Sequence, residues 1–155
     1  MVFERTYDWT LVKSIATFPR VWASISDDFS PAPEDWEPEQ DDRVWYVVAK
    51  TDGGSVLGMF IFYAENPICW RSHVCMLPES WGIPARQAFR EAFTWLWEHS
   101  SCLRIIGSVP ECNSLALAFA LQCGMHKFGI NEKSYQKGGR LFDQILFGIS
   151  KPETA

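Results

Sequence analysis

A chain of 155 residues, 47% hydrophobic and 21% charged, is long enough for one domain with a real core and too apolar to be a disordered segment. Its net charge of −5 argues against general nucleic-acid binding. Its apolar stretches break well before the roughly 18 residues a membrane span needs, and the acid-bearing start from Met1 to Trp9 has no apolar signal core, so a cytoplasmic protein is expected.

In chain order, Trp9 to Ile25 carries apolar residues at helical spacing (Leu11, Ile15, Phe18, Val21, Trp22, Ile25), and Pro19 interrupts it, which predicts two short helices or a kink. Residues 27–42 hold most of the early acids and three prolines and read as an exposed, extended loop. As a functional element this loop would be a lid over a substrate cleft, with Trp36 as the contact. Val44 to Ala49 is a β-type run, Thr51 to Gly54 a hairpin turn, and Val56 to Tyr63 the returning strand. Cys69 to Leu77 completes an antiparallel meander.

The pattern then changes. Pro84 suits a helix's first turn, and Ala85, Ala88, Phe89, Ala92, Phe93, Leu96 and Trp97 follow at spacings of three and four, an amphipathic helix running to Glu98 or His99. Leu103 to Val109 reads as a buried strand. Asn113 caps a helix from Ser114 to Gln122 that Gly124 stops. Phe128 to Tyr135 and Leu141 to Ile149 are the closing strands, joined by a turn at Gln136 to Gly139. The expected order is α-β-β-β-α-β-α-β-β in a single domain spanning 1–155. Cys69, Cys75, Cys102, Cys112 and Cys123 are odd in number with no CxxC pair, so buried reduced thiols are expected, without a disulfide framework or a metal site.

Three segments in this order resemble the GNAT superfamily of N-acetyltransferases: His73 to Ala85, a strand entering a loop and helix; Val109 to Met125, an Asn-led helix ending at a glycine; and Ser134 to Ser150, similar to the closing hairpin of the ribosomal-protein N-terminal acetyltransferase branch. The resemblance implies an α+β fold, a mostly antiparallel sheet with a splayed central strand pair and helices on both faces. It also implies acetyl-coenzyme A as cosubstrate. The backbone near Met76 and Leu77, together with Asn113, would meet the pantetheine arm. Trp81, Gly82, Ile83, Ala85 and Arg86 would form the phosphate loop, where a helix N-terminus presents free N–H groups and partial positive charge. The chain departs from the family's usual loop at Pro84, which has no N–H, and at Arg86, which could contact phosphate directly. Where many members carry a Tyr as general acid, this chain has Ala120.

Acetyl transfer to an amine requires a base, donors for the thioester carbonyl and an acid for the thiolate. His73 is the candidate base, and Glu79 in the following loop is the second catalytic candidate; Ser134 and Tyr135 could face the acceptor. The partners implied are acetyl-coenzyme A and an amine acceptor: a protein N-terminus, a lysine or a small amine. The Trp22 to Asp28 stretch, His73, the Trp81-Gly82 loop and the closing residues Phe142 to Ser150 also resemble small phage-encoded GNAT-like proteins, some of them head-assembly proteins. That leaves open a non-catalytic binding role, a phage virion or assembly partner, and a homodimer.

Overall fold

The computed structural model describes residues 1–153. Its strands are β1 (Val2–Arg5), β2 (Val44–Lys50), β3 (Val56–Ala64), β4 (Cys69–Met76), β5 (Arg104–Pro110), β6 (His126–Lys137) and β7 (Arg140–Ser150). Its helices are α1 (Trp9–Ala16), α2 (Pro19–Ile25), α3 (Ile83–His99) and α4 (Ser114–Gln122). The strands form one seven-stranded sheet in the order β1-β2-β3-β4-β5-β7-β6, antiparallel throughout except for the β4–β5 pair. This is the α+β fold with helices on both faces that the resemblance implied. No helix among the described residues is long and apolar enough to cross a membrane.

Local chemistry explains the elements. Asp8 caps α1 by accepting from the Leu11 N–H at 3.1 Å, and Pro19 opens α2 at the position where a missing N–H costs nothing, so the two short helices expected around it form. The stripe of α3 from Ala85 to Trp97 packs on Phe60, Phe62 and Trp70 of the sheet. On the opposite face, Val12, Ile15 and Val21 of α1 and α2 pack on Tyr46, Met59 and Cys75. Strand alternation divides β4 between these cores: Trp70 and Met76 face α3, and Cys75 faces α1.

The sequence reading omitted β1. It is short, alternates with the charged Glu4 and Arg5, and gains its place only by pairing with β2, from Val2 opposite Lys50 to Arg5 opposite Val47. Three of the thiols are buried as expected: burial pushes Cys75 up to about 12 and Cys102 and Cys123 up to about 11, so all three stay protonated. Cys69 is only half-buried and Cys112 is exposed, which corrects the expectation for those two.

Residues 27–42 are an extended segment with one 3-10 turn at Pro33–Asp35. It is pinned to the body: Lys13 Nζ reaches Glu37 at 2.6 Å, the Tyr46 hydroxyl donates to the Glu39 carbonyl at 3.0 Å, and Trp36 packs edge-on against Trp22 with ring centres 6.3 Å apart. Trp36 therefore spends its indole on α2 and does not line the cleft described below, so the expected Trp36 contact is corrected.

Candidate acetyl-transfer site

Strands β4 and β5 pair over three positions only, Cys69 with Arg104, Trp70 with Ile105 and Arg71 with Ile106, and then part. The expected splay is present. One polar link and one close backbone approach mark the point of divergence: the Arg71 guanidinium donates to Ser108 Oγ at 2.9 Å, and at Gly107 an added Cβ would lie 3.6 Å from the Ser72 carbonyl oxygen.

Beyond that point one edge of β4 is unpaired. Leu77 donates its N–H to the Leu57 carbonyl at 3.0 Å, so the alternate residues of β4 that match it direct their backbone groups at β3. The intervening residues, Val74 and Met76, direct theirs into the splay. Of these groups, the Met76 carbonyl accepts from the Trp81 indole at 2.9 Å. Two expectations change as a result. The Leu77 amide is already bonded to β3, and the Met76 carbonyl is occupied, which leaves the Met76 N–H and both backbone groups of Val74 as the free edge.

A cavity of about 300 Å³ opens through the splay. On the α3 and α4 side its walls include Phe89, Phe119, Ala120 and Met125, and on the α2 side they include Ser24, Asp27, His73, Tyr135 and Gln144. Asn113 stands between β5 and α4. Its Oδ1 accepts from the Ala116 N–H at 3.1 Å as an N-cap, and the residue also lines the cavity. Ala120, buried in the wall, offers no proton.

His73 lies on the floor strand on the same face as Cys75 and Leu77, toward α2. Its ring is open to the cavity, yet protein encloses it on the other sides; this crowding, with the nearby Arg71 charge second, lowers its pKa below the ordinary histidine value. The imidazole is thereby held neutral at pH 7 with a lone pair free. Glu79 is exposed on the Pro78–Ser80 turn and is not part of the cavity wall, so the turn separates it from His73.

The start of α3 has the features of an anion cradle. Gly82 caps it with φ +90° and ψ −131°, backbone space that disfavours a side chain, and a Cβ there would meet nothing within 4 Å. Gly82 and Ile83 are exposed. The Ile83 and Ala85 amides fall in the first turn, where helical N–H groups have no intrahelical partner. Pro84 removes one such donor. Arg86 approaches Gln122 Oε1 at 3.5 Å, and Arg90 donates to the Gln122 carbonyl at 3.2 Å, placing two guanidinium groups between α3 and the end of α4. The Trp81 indole turns back to β4 and lies beneath the Arg20 guanidinium, 4.6 Å away. The free β4 edge, the open helix start and this positive charge fit a thioester cosubstrate that ends in phosphates.

One feature of the site was not anticipated. The turn between β6 and β7 clasps the chain just after α2. Asp28 accepts from the Gly138 N–H at 2.7 Å, the Gly139 N–H at 2.8 Å and Gln136 Nε2 at 3.2 Å, and its own N–H donates to the Gln136 carbonyl at 3.0 Å. Tyr135 donates its hydroxyl to the Ser26 carbonyl at 2.9 Å, and Lys137 Nζ binds the Ala23 and Ser26 carbonyls. Residues 23–28 thus form a strap over the α2 side of the cavity. The turn itself is legible in Gly138 and Gly139, both at positive φ, but nothing in the sequence spacing joins them to Asp28.

No protein-family model matches the chain, and no curated protein matches it. Solved structures do. Spermidine N-acetyltransferase from Vibrio cholerae, in complex with CoA and spermine, superposes with a TM-score of 0.79 at 14% identity over 96% of this chain and 94% of its own. Ribosomal-protein-alanine N-acetyltransferase from Brucella melitensis gives 0.71 at 17% identity over 97% and 100%. The chain has the GNAT acyl-CoA N-acyltransferase fold. Neither of these neighbours is a phage or head-assembly protein, and they lend that resemblance no support.

Proposed function

We propose that this protein is an N-acetyltransferase that moves an acetyl group from acetyl-coenzyme A to an amine. The observation that carries the reading is the parting of β4 and β5, which leaves an unpaired backbone edge running from His73 toward an open helix start. The N-acetyltransferase names of its structural neighbours, one of them a CoA complex, support the same reading.

The roles follow from position. The Val74 and Met76 edge and Asn113 would hold the pantetheine arm, and the first turn of α3 with Arg86 would hold the phosphates. Acetyl-coenzyme A, when bound, supplies an activated acyl group. His73, neutral and open to the cavity, accepts the proton that an ammonium must lose before its nitrogen can attack a carbonyl. The cavity walls hold the amine in place, which supplies much of the rate. Ala120 gives no proton to the departing thiolate. Tyr135, whose pKa burial raises, keeps its phenol proton but donates it to the Ser26 carbonyl, so the thiolate takes its proton from solvent.

The test is acetyl-coenzyme A binding by calorimetry, followed by release of free thiol with a panel of amines. Tight binding with acceptor-dependent thiol release is expected. Binding without release from any amine would favour the non-catalytic binding role, which draws on Pro84 and Ala120. No binding at all would overturn both.

A further inference from the structure

Among the described residues, the cavity wall contains no lysine or arginine, and its one carboxylate is Asp27. Asp27 sits on the strap, half-buried, and lines the α2 side of the cavity together with His73 of the floor strand. Its Oδ1 accepts from the Phe29 N–H at 2.8 Å and from Ser30 Oγ at 3.3 Å, which fixes the side chain; Oδ2 has no partner among the described residues. Lys137 is bonded to the Ala23 and Ser26 carbonyls, and Arg71 to Ser108 and Glu65; neither pairs with Asp27. The remaining polar groups on this side, on Ser24, Ser134 and Gln144, are neutral.

Resting on the transfer reading above, we propose that the acceptor is a slender primary amine that carries a second cationic group and no carboxylate, and that Asp27 is the specificity-determining residue that holds this second charge. The cavity separates two tasks. His73 on the floor takes a proton from the reacting nitrogen, and Asp27 on the strap pairs with a charge that persists through the reaction. An acceptor carboxylate on the strap side would meet the Asp27 charge with no cation to offset it, which disfavours free amino acids. The strap is bonded to the β6–β7 turn along its length, so the acceptor must reach in end-on beneath it, which suits a flexible chain.

Three acceptors of equal carbon length separate the possibilities: butylamine, the diamine putrescine, and γ-aminobutyrate. Transfer kinetics with acetyl-coenzyme A, and calorimetry of each amine, are measured on the full chain and on Asp27→Asn, which keeps the Oδ1 acceptor of the turn. In the wild type, kcat/KM for putrescine is expected to exceed that for γ-aminobutyrate by about tenfold or more, the scale of one charge-assisted contact. Asp27→Asn is expected to raise the putrescine KM about tenfold with kcat, butylamine turnover and melting temperature nearly unchanged. Equal use of γ-aminobutyrate, or a putrescine KM indifferent to Asp27→Asn, overturns the proposal while leaving the transfer reading intact. Should no amine be acetylated, the transfer reading fails; Asp27-dependent putrescine binding by calorimetry would still support the cation site, and its absence would overturn that site too.

Discussion

His73 owes its suitability as a base to what surrounds it. Enclosure by the cleft and the charge of Arg71 both favour the neutral ring, so its folded pKa lies below its unfolded value of about 6.5. On the transfer reading, kcat/KM falls at acid pH along a limb centred below that value. His73→Ala should lower kcat/KM by about two to four decades and leave coenzyme A affinity nearly unchanged, because the ring faces α2 and not the start of α3. Retained turnover in the variant would remove His73 from the mechanism. Asp28 is the second residue whose chemistry is set by geometry. Its carboxylate receives the Gly139 and Gly138 N–H groups, then Gln136, and these hold its pKa below the ordinary aspartate value. A depressed folded pKa contributes stability that is present above the unfolded value, near 3.9, and is lost as pH falls through the folded one. Asp28→Ala should therefore lower the melting temperature at neutral pH, and the difference from wild type should shrink on acidification below about pH 4. A gap that stays constant across that range would show that the carboxylate charge is not what ties the strap.

Among the elements, α3 and α4 begin with different devices, and substitutions at their caps should separate stability from ligand binding. Asn113→Ala removes the bond to the Ala116 N–H and should cost about 0.5–2 kcal/mol of stability in the free protein, with a larger gap in saturating acetyl-coenzyme A from the lost pantetheine contact. Gly82→Ala places a Cβ in open space but at a backbone conformation L-residues rarely adopt, so it should cost about 1–3 kcal/mol or reset the first turn of α3. Reset donors would weaken acetyl-coenzyme A binding in calorimetry beyond any loss of stability; unchanged affinity in a shifted Gly82 variant would exclude this helix start from the phosphate site. Both helices were legible in the sequence, because a stripe such as Ala85 to Trp97 depends on local periodicity. The strand β1 was not, since four residues with two charges acquire strand character only from β2 beside them. His73 and Asn113 could be placed on the correct face and cap for the same local reason. Asp27 and Asp28 lay inside a segment whose prolines and acids read as a solvated connector; the partners of Asp28 are more than a hundred residues away, and those of Asp27 are the local Phe29 and Ser30.

At the scale of the whole molecule, ligand linkage gives a direct measure of the site. Acetyl-coenzyme A at 100 times its Kd should stabilise the fold by about 2.7 kcal/mol, seen as a rise in melting temperature that grows with ligand concentration. A melting temperature indifferent to saturating acetyl-coenzyme A would contradict binding at the splay. The likeness to solved transferases at 14–17% identity is consistent with how the cleft is made. Its central edge consists of main-chain groups, which every residue but proline supplies, so the sheet order and the splay can persist while side chains change. The clasp has a further consequence, for the order in which the chain assembles. Asp28 and the glycines that receive it are separated by 110 and 111 residues, while the three-strand meander and the hairpins close over short loops. Contacts of such separation carry the greatest closure entropy and are made after local ones. During synthesis the strap has no anchor until the β6–β7 turn has left the ribosome, so the cavity acquires its roof as one of the last events of folding, and a nascent chain halted before Gly138 would lack both that roof and the wall that Gln144 and Phe147 of β7 supply.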